Sequence, residues 1–579
     1  MTGADEGAAH ADAYGGVEPA GVTGWLARQP LFVSMALAFG AGLVSALAFA
    51  PTHLAPALFL TLPALLILMR GAASGLVTQD AGDAVTAPDG NSLRRAFLTA
   101  WAFGFGLHLV GLHWIGNAFL VQADVFAWAL PFAVTLMPAA LALFWGFAGL
   151  VIAIVPATRV APWLTFALAV AGIEWLRSVI FTGFPWNVIG YALAWPVELM
   201  QLLSVVGVHG ATLLAVVIAL LPIVMWRWLA NSNACHAWPR WRLAGLTGLA
   251  GALPVVLLAI FGAVRLATAS VDPVPGVKVR IVQPSIDQRR KWRPDAQRAI
   301  FEEHLALTAQ ESLAGITHIF WAEAAMPFRP LEVQGLAGRL ATVIPDNSYL
   351  VAGILRRGDR PDATDGLVPV DRPVYNSAAV FDRAGRAIGL YDKIHLVPFG
   401  EYLPFPGFLS AIGFETLVRQ RGGFTPGPRP RRPMLIPGLP PLEMLICYEA
   451  IFPHEVARGR ARPSLLINLT NDGWFGTLSG PYQHVLQTRA RAVEYGLPLI
   501  RVSNNGVSGI VDPYGRMSSQ LDLNVIGFVD GGIVMPLEPT LYARVGDSLA
   551  AGLALIILMI GIAMRAKTTS FSVKSRFDD

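Results

Sequence analysis

Apolar residues run in long unbroken stretches through the first half of the chain, and one more stretch lies near its end. A helix needs about 20 such residues to cross the roughly 30 Å hydrocarbon core of a bilayer. Stretches of that kind lie at 31–50, 53–69, 96–116, 127–154, 161–182, 203–226, 243–266 and 547–564. The sequence therefore predicts a polytopic α-helical membrane bundle of about eight spans.

Between the seventh and the eighth stretch, the spacing of apolar residues changes. Short runs rich in β-branched residues alternate with amphipathic helical stretches, and turn residues separate them. The predicted strands are 277–282, 318–321, 349–355, 444–446, 464–469 and 499–502, the predicted helices are 294–313 and 482–495, and a hairpin joins 374–381 to 386–391. This alternation is typical of a layered α/β domain.

The two kinds of segment divide the chain into four parts. They are an N-terminal tail at 1–30, a seven-helix membrane domain at 31–269, an extramembrane domain at 270–545, and a final span with its tail at 546–579. Polar and partly acidic residues precede the first span, so we do not interpret that span as a cleaved signal peptide.

Lys and Arg residues of the short loops gather on one side of the predicted bundle. On that side lie Arg70, Arg94, Arg95, Arg159, Arg227, Arg240, Arg242, Arg565, Lys567, Lys574 and Arg576. The opposite connections, near 51–52, 117–126 and 183–202, contain no Lys or Arg. Because cytoplasmic loops carry such an excess, we expect both tails in the cytoplasm and the domain at 270–545 on the outer face.

Composition agrees with this picture, since 54% of the residues are hydrophobic and only 14% are charged. The net charge is +4, but no basic stripe is interleaved with aromatic residues, so we do not expect nucleic-acid binding. Two charged residues inside a predicted span, Glu174 and Arg177, lie three positions apart, and we interpret them as a structural ion pair. His108 and His113 lack metal-ligand spacing and are interpreted as structural residues that face the bundle interior.

The chain has two cysteines, Cys235 and Cys447. The predicted topology places them on opposite sides of the membrane, so they cannot form a disulfide. Cys447 is therefore expected to be a free thiol in an oxidising compartment, where an unpaired cysteine is a liability unless it has a use.

Three segments of the extramembrane domain carry candidate chemistry. Ile319–Glu323 is an apolar strand that ends in a carboxylate. Tyr391–Glu401 contains a Lys and a Glu in a stretch too apolar and too proline-bounded for a solvated run of charges. Met444–Glu449 is a buried strand that stops at Cys447, which is the arrangement of a nucleophile at a strand-to-helix turn.

The chemistry of the three segments is complementary. A thiol attacks an acyl carbonyl as a thiolate, so it needs a base or a positive field nearby. Glu323 is a candidate base, and Lys393 is a candidate stabiliser of the oxyanion that also lowers the thiol pKa. Glu401 is expected to orient Lys393 and to assist proton transfer. Together they predict a catalytic set of Glu323, Lys393, Glu401 and Cys447.

Four sequence motifs carry a resemblance to a known family. They are Trp-Ala-Glu at 321–323, Lys-Ile-His-Leu-Val-Pro-Phe-Gly-Glu at 393–401, Ile-Cys-Tyr-Glu at 446–449 and Asn-Asp-Gly-Trp-Phe-Gly at 471–476. In this order they resemble the nitrilase, or carbon–nitrogen hydrolase, superfamily. Within it, seven spans, one soluble domain and a final span are similar to the apolipoprotein N-acyltransferases.

The resemblance implies a four-layer αββα sandwich and a ping-pong acyl transfer through a thioester on Cys447. The implied acyl donor is the sn-1 chain of a membrane phospholipid. The implied acceptor is the α-amine of the N-terminal S-diacylglyceryl cysteine of an apolipoprotein. It further implies a multi-pass enzyme of the bacterial inner membrane with a periplasmic catalytic domain, and we expect it to act as a monomer.

By position, the resemblance also implies residues around the substrate. These are Trp292, Asn376, Tyr448 and Glu449. Neither a metal nor a cofactor is expected, because the histidines and cysteines lack ligand spacing and no glycine-rich loop for phosphates is present.

Two further segments suggest contact with lipid. The stretch 402–418 is unusually apolar for an extramembrane loop and includes Phe405 and Phe408, so we interpret it as a lid that dips into the bilayer surface. Arg429, Arg431 and Arg432 lie in a loop at 426–433 that is rich in Pro and Arg. We interpret this loop as a solvated surface loop, with contact to lipid headgroups as the alternative.

Three other functions remain open from the sequence alone. A Cys–His pair would draw on His395, His454 or His484 but leaves Lys393 and Glu323 without roles. A membrane-tethered amidase or nitrilase would use the same site with water as the acceptor. A transporter with a binding module is disfavoured, because the sequence shows neither paired broken helices in matching halves nor a chain of intramembrane charges.

Overall fold

The computed structural model describes residues 22–71, 89–155, 160–230, 238–358, 373–405, 407, 423–456, 461–559 and 562. Several interpretations made above concern residues outside these ranges. They are the N-terminal tail up to residue 21, the loop residue Arg159, the second cysteine Cys235, Phe408 with most of the stretch 402–418, and the basic residues of the C-terminal tail.

Helices occupy most of the chain before residue 270 and surround two sheets after it. Their bounds are α1 Val22–Ala27, α2 Leu31–Ser45, α3 Leu58–Arg70, α4 Gly90–Gly111, α5 Gly116–Leu120, α6 Ala123–Phe126, α7 Leu130–Ile154, α8 Pro162–Val179, α9 Val197–Met200, α10 Leu203–Ala230, α11 Arg240–Ala267, α12 Gln288–Lys291, α13 Gln297–Thr308, α14 Leu336–Leu340, α15 Gly480–Tyr495, α16 Leu541–Val545 and α17 Ser548–Met559.

Within the described residues, four helical segments are long and apolar enough to cross a membrane. They are Leu31–Ala48, Ala123–Ile154, Leu203–Ala230 and Arg240–Ala267. A fifth is added if α4 and the helix at His113–Leu120, which meet at 52°, count as one span. The shorter apolar helices Ala55–Arg70 and Ser548–Met559 coincide with the second and eighth predicted spans. The apolar helices are therefore observed, and the count of eight spans stays a prediction.

Small residues allow α2 and α4 to approach closely. A Cβ atom at Gly42 would lie 2.1 Å from the carbonyl O of Phe103, and one at Gly106 would lie 2.3 Å from the carbonyl O of Phe39. Apolar helices in a membrane gain stability from such close contact, because burial from lipid supplies no hydrophobic driving force. Glycine is thus required at both positions by the spacing of the two helices.

The two charges that we predicted inside a span lie on α8 and neutralise each other. Arg177 Nη2 lies 2.7 Å from Glu174 Oε2, and both side chains are buried. Arg177 also donates to the carbonyl O of Trp186 at 3.1 Å. The predicted structural ion pair is confirmed. His108 is buried in the bundle, as expected, and His113 is partly buried.

The extramembrane domain contains two mixed sheets. The strands are β1 Pro273–Gln283, β2 His318–Met326, β3 Tyr349–Arg357, β4 Val374–Phe381, β5 Ala387–Asp392, β6 Leu442–Ile446, β7 Leu465–Thr470, β8 Leu499–Ser503, β9 Ser508–Val511, β10 Met517–Leu521 and β11 Gly527–Val534. One sheet has six strands in the order β11-β1-β2-β3-β4-β5, and the other has five in the order β10-β9-β8-β7-β6. The neighbours β1, β2 and β3 are parallel, as are β6, β7 and β8.

The two sheets face each other across an apolar core. Val279, Phe320 and Val351 of the six-stranded sheet share this core with Ile467 and Ile500 of the five-stranded sheet. Helices α13 and α14 cover the outer face of the first sheet, and α15 covers the outer face of the second. The arrangement is the αββα sandwich that we expected.

The predicted strands, the two helices and the hairpin of this domain are confirmed, with shifts of a few residues at their ends. Strands β9, β10 and β11 were not predicted. In β10 and most of β11 the residues are half-buried or exposed, and their Ser and Gly residues resemble those of a loop. Pairing with β9 and β1, rather than their own composition, makes them strands.

Candidate active site

Cys447 lies at the carboxyl end of β6, where it begins a 3-10 turn at Cys447–Ile451. Its φ of 50° falls in the left-handed region, which is strained for a residue with a Cβ and clusters at functional sites. The side chain is buried, and the thiol hydrogen-bonds to the side chain of Thr470 at the end of the neighbouring strand β7. The sulfur is thus held at the strand-to-turn edge, as the sequence predicts.

Lys393 follows β5 and is only 1% exposed. Its Nζ lies 2.9 Å from Glu401 Oε1 and 3.6 Å from Glu323 Oε1. Asn376, on β4, donates to Glu323 Oε1 at 2.8 Å and to Glu401 Oε1 at 3.0 Å. The other oxygen of Glu401 accepts from the backbone N–H of Val397 at 2.8 Å, which ties the loop after Lys393 to the site. The structure therefore brings three of the four predicted catalytic residues into direct contact.

Burial and neighbouring charges set the protonation of these groups. Burial opposes the charge of Lys393, but Glu401 and Glu323 outweigh it and raise the pKa of the ammonium. Burial raises the pKa of Glu323, and the charge of Lys393 offsets part of the rise. Burial and the charge of Glu323 also raise the pKa of the Cys447 thiol. The resting site holds a neutral thiol beside an ammonium.

The charge of Lys393 does not set the state of the thiol alone. We predicted that Lys393 lowers the thiol pKa, and its charge does act in that direction. Burial and the negative charge of Glu323 have the larger effect, so the pKa is raised overall. If Cys447 is the nucleophile, a base would therefore have to take the thiol proton as the sulfur attacks.

The residues expected around the substrate lie in different surroundings. Trp292 is partly exposed, and its ring centre lies 6.0 Å from Lys291 Nζ. Tyr448 is buried, and its hydroxyl donates to the carbonyl O of Gly183, after α8, at 3.2 Å. Asn376 bridges two carboxylates as described. These positions leave the substrate-binding roles as predictions.

Glu449 was expected to lie near the substrate, but its contacts are with other groups of the protein. Its carboxylate is fully buried and accepts backbone N–H groups of Ile394, His395 and Ile446. Arg431 Nη2 lies 3.0 Å from the same group. Burial alone would raise the pKa of Glu449, but Arg431 and these N–H groups hold it below its usual value. The side chain joins the lysine loop to the cysteine turn, which favours a structural role.

Arg431 is therefore not a surface residue, and the interpretation of the loop at 426–433 as solvated is wrong for this position. The side chain is 7% exposed and also lies near Glu443 and Glu455. Arg432, the next residue, is exposed as expected. Sequence alone could not separate them, because the fold of the following segment decides which arginine meets the carboxylates.

A buried polar cluster behind the cysteine turn was not predicted from the sequence. His484 Nδ1 lies 2.8 Å from Asp472 Oδ1, and Arg501 Nη2 lies 2.7 Å from Asp472 Oδ2. His484 Nε2 faces the backbone carbonyl of Cys447 at 3.3 Å. Both ring nitrogens of His484 are occupied, and His395 Nδ1 faces a glutamate. Neither arrangement supports the Cys–His alternative.

Aromatic residues of the bundle contact the sandwich domain beside the cysteine turn. Trp114 Nε1 and Trp186 Nε1 both donate to Gln483 Oε1, at 3.1 and 2.7 Å. Gln483 Nε2 donates in turn to the carbonyl O of Ala50 at 3.2 Å. The ring of Phe475 packs against both tryptophans. The candidate site thus lies directly against the membrane part.

The αββα sandwich carries a cysteine after β6, a lysine after β5, a glutamate within β2 and a second glutamate in the loop after the lysine. This set defines an enzyme of the carbon–nitrogen hydrolase class. The family model for carbon–nitrogen hydrolases matches residues 278–536, and the model for the N-terminal domain of apolipoprotein N-acyltransferases matches residues 41–221. The chain is 38% identical over 530 residues to an apolipoprotein N-acyltransferase of Rhodopseudomonas palustris, covering 90% of this chain and 94% of that protein. Proteins of the same name from Bradyrhizobium diazoefficiens and Brucella melitensis are each 40% identical, over 91% and 87% of this chain and 94% and 90% of theirs.

These relatives show the family. The chain belongs to the apolipoprotein N-acyltransferases, and it is an acyltransferase built on a carbon–nitrogen hydrolase domain.

Proposed function

We propose that the chain moves a fatty acyl group from the sn-1 position of a membrane phospholipid to the α-amine of an S-diacylglyceryl cysteine at the N-terminus of an apolipoprotein. Cys447 is the nucleophile, Glu323 the general base, Lys393 the oxyanion stabiliser, and Glu401 the group that orients Lys393. The observation that carries the proposal is the buried contact of Lys393 with both carboxylates, at 2.9 and 3.6 Å, in a domain whose cysteine turn is packed against apolar helices.

The first half-reaction forms the thioester. Glu323 takes the proton of the Cys447 thiol as the sulfur attacks the carbonyl carbon of the ester. The resulting oxyanion faces the ammonium of Lys393, and a fixed charge in a buried site stabilises it strongly. When the tetrahedral intermediate collapses, the ester C–O bond breaks and Glu323 returns the proton to the lysophospholipid oxygen. The neutral thiol of the resting site fits this order, because sulfur attack and proton transfer occur together.

The second half-reaction transfers the acyl group to nitrogen. The neutral α-amine attacks the thioester carbonyl, and Glu323 takes one amine proton. The C–S bond then breaks, the sulfur recovers the proton from Glu323, and an amide leaves. Because the same carboxylate serves both halves, its protonation state governs the whole cycle.

Location follows from the same proposal. We place the domain at 270–545 on the periplasmic side of a bacterial inner membrane. The membrane domain at 31–269 and the final span in 546–579 cross this membrane. The distribution of Lys and Arg indicates that the tail at 1–30 and the C-terminal tail lie in the cytoplasm. Phe405 is 68% exposed, which supports the proposed contact between its loop and the bilayer surface. The donor lipid then reaches the site from the membrane.

Intact-mass analysis of the purified protein after incubation with phospholipid vesicles tests the proposal. We expect a mass increase of one fatty acyl group in the wild type, its absence in Cys447→Ala, and its removal by a peptide with an N-terminal S-diacylglyceryl cysteine. Vesicles whose phospholipid carries different sn-1 and sn-2 chains identify the position. No adduct, or free fatty acid released without an N-acylated peptide, would favour the amidase alternative.

A further inference from the structure

Lys291 is a second buried lysine beside the site, and the proposed reaction does not use it. It ends the short helix α12, and its side chain is 1% exposed. The two preceding residues point elsewhere, since Arg289 is exposed and Arg290 pairs with Glu303. Of three consecutive basic residues, one is turned into the protein interior, where an ammonium is costly unless it has a partner.

The partner is the backbone of the candidate base. Lys291 Nζ donates to the carbonyl O of Glu323 at 2.9 Å. The pairing of β2 with β3 is irregular between Trp321 and Met326, so the strand leaves its regular ladder at this point. The next residue, Ala324, has a φ of 45°. In a regular strand, the adjacent strand donates a hydrogen bond to each such carbonyl. At this irregular position, Lys291 is the donor instead.

The charges that face Lys291 and Glu323 come from several elements. The carboxylate of Glu323 acts on Lys291 across the site. Lys393, Glu401 and the amide of Asn376 face the carboxylate of Glu323. From the helix on the outer face, His304 lies close enough for the charge of Lys291 to oppose its protonation.

These groups form a balanced set only if Lys291 is charged. Two ammonium groups then face two carboxylates, and a neutral thiol adds nothing. Burial lowers the pKa of Lys291 to about 8, while the carboxylate of Glu323 opposes the decrease, so the charge is present at neutral pH. Without it, the site would hold an excess negative charge that disfavours the ionised form of Glu323.

We propose that Lys291 is a positioning residue for the general base, which fixes the backbone of Glu323 and keeps its carboxylate ionised. The inference rests on the proposed function, because it requires Glu323 to accept a proton. Lys291 acts on Glu323 in two ways. It donates a hydrogen bond to the carbonyl O, and it supplies a positive charge.

Two substitutions distinguish these contributions. Lys291→Gln keeps a donor and removes the charge, whereas Lys291→Met removes both. We expect the acid side of the pH profile of acyl loading to move to higher pH in both variants, with loading at pH 6 about tenfold slower than in the wild type. At pH 9, Lys291→Gln recovers to within about twofold of the wild-type rate, while Lys291→Met stays slower because Glu323 is also misplaced. Arg289→Met, exposed on the same helix, is the matched control and is expected to leave the profile unchanged.

Acyl loading is measured by intact mass from pH 5 to 9, on variants that elute as the wild type does in size-exclusion chromatography. If Lys291→Met does not fold, Lys291→Gln alone still decides the role of the charge. A profile of Lys291→Gln that overlays the wild type, or one lowered equally at every pH, would overturn the proposal. Failure of the proposed function looks different, since the wild type itself would then show no acyl adduct at any pH.

Discussion

The candidate site combines a neutral thiol with charges that are expensive to bury, and this combination has chemical consequences. Glu323 and Lys393 are almost completely enclosed, so their mutual attraction is screened little by water. In the proposed reaction, the same enclosure keeps the proton on Cys447 until a substrate carbonyl is in place. A cysteine that stays protonated is also protected from oxidation, because the thiolate is the reactive form.

The rate of acyl loading should decline as the pH falls. This decline should occur at a higher pH than it would if the base were a glutamate with its usual pKa. Glu323 accepts a proton only when ionised, and burial raises its pKa above 4.5, so the rate is lost as pH falls through that raised value. No loss is expected from Lys393 up to pH 10, because its pKa is raised. The rate of thioester formation, measured by intact mass across pH 4 to 10, checks both limbs.

Glu323→Gln is the reference variant for this profile. It should slow loading by about 10²- to 10⁴-fold, the usual contribution of a general base, and should abolish the acid limb. A wild-type rate that stays flat down to pH 4 would remove Glu323 from the role of base.

Arg431 and Arg432 provide a matched pair for the structural role of Glu449. Arg431→Met leaves the buried Glu449 carboxylate without its cation, and breaking a buried ion pair costs about 3–5 kcal/mol. Arg432→Met changes an exposed side chain and should be within about 0.5 kcal/mol of the wild type. Thermal unfolding in detergent, followed by the fluorescence of the tryptophans, measures the difference. Equal melting temperatures for the two variants would contradict the structural assignment.

At the scale of residues, the sequence predicts the groups that are complementary in a reaction. It does not predict the groups whose role depends on being buried. Glu323, Lys393, Glu401 and Cys447 were predicted because a nucleophile, a base and a cation occur beside short apolar runs. The expected strand end at Glu323 is wrong, since β2 continues to Met326. The buried position of Lys291 was not predicted, because Lys291 belongs to a run of three basic residues that is typical of a solvated surface. Which one points inward depends on the path of β2, and no local signal in the run carries that information.

Two glycines of α2 differ in surroundings, and this difference predicts opposite effects of one substitution. A Cβ at Gly42 would meet the Phe103 carbonyl O at 2.1 Å, whereas one at Gly40 meets nothing within 4 Å. Gly42→Ala should therefore destabilise the bundle by about 1–3 kcal/mol through overpacking. Gly40→Ala should be neutral or stabilise it by about 0.5–1 kcal/mol, because alanine favours the helix.

Melting temperatures of the two variants in the same detergent measure this contrast. Indistinguishable values would mean that α2 and α4 are not packed at the observed distance. The comparison needs no enzyme activity, so it tests the bundle independently of the catalytic proposal.

Elements differ in how well the sequence predicts them, and burial explains the difference. Strands such as β6, β7 and β8 are buried along their whole length, so they appear as apolar runs. Strand β10 has alternating half-buried and exposed residues, and β11 contains three glycines. Their pairing partners decide the conformation, and these partners lie in other segments of the chain.

The whole molecule is a membrane part and a sandwich whose contacts join residues that are far apart in sequence. The composition of the chain predicts the two parts, but it gives no information on how they dock. The contact of Trp114 with Gln483 spans 369 positions, and that of Trp186 with Gln483 spans 297. In α10, the backbone breaks at Gly207, with a φ of 63°, and the freed N–H of Val208 donates to Glu494 Oε1 at 2.9 Å. The acceptors of all three contacts lie on α15, so this helix carries several of the polar links between the two parts.

Two glutamines of α15, one helical turn apart, test this docking. Gln483→Leu would leave the indole N–H groups of Trp114 and Trp186 buried without an acceptor, and each such loss costs about 1–3 kcal/mol. Gln487 is equally buried, but in the described part of the chain neither of its polar atoms has a hydrogen-bond partner. Gln487→Leu should therefore be neutral or stabilising, because it removes a polar group that makes no hydrogen bond.

The expected result is a lower melting temperature and slower acyl loading for Gln483→Leu, with both properties retained in Gln487→Leu. Loading should decrease because α15 also carries His484, which faces the carbonyl O of Cys447 at 3.3 Å, so a shift of the helix reaches the cysteine turn. If Gln483→Leu melts and loads as the wild type does, the membrane part does not fix the position of the sandwich through this contact. A variant that melts lower but loads normally would separate docking from catalysis.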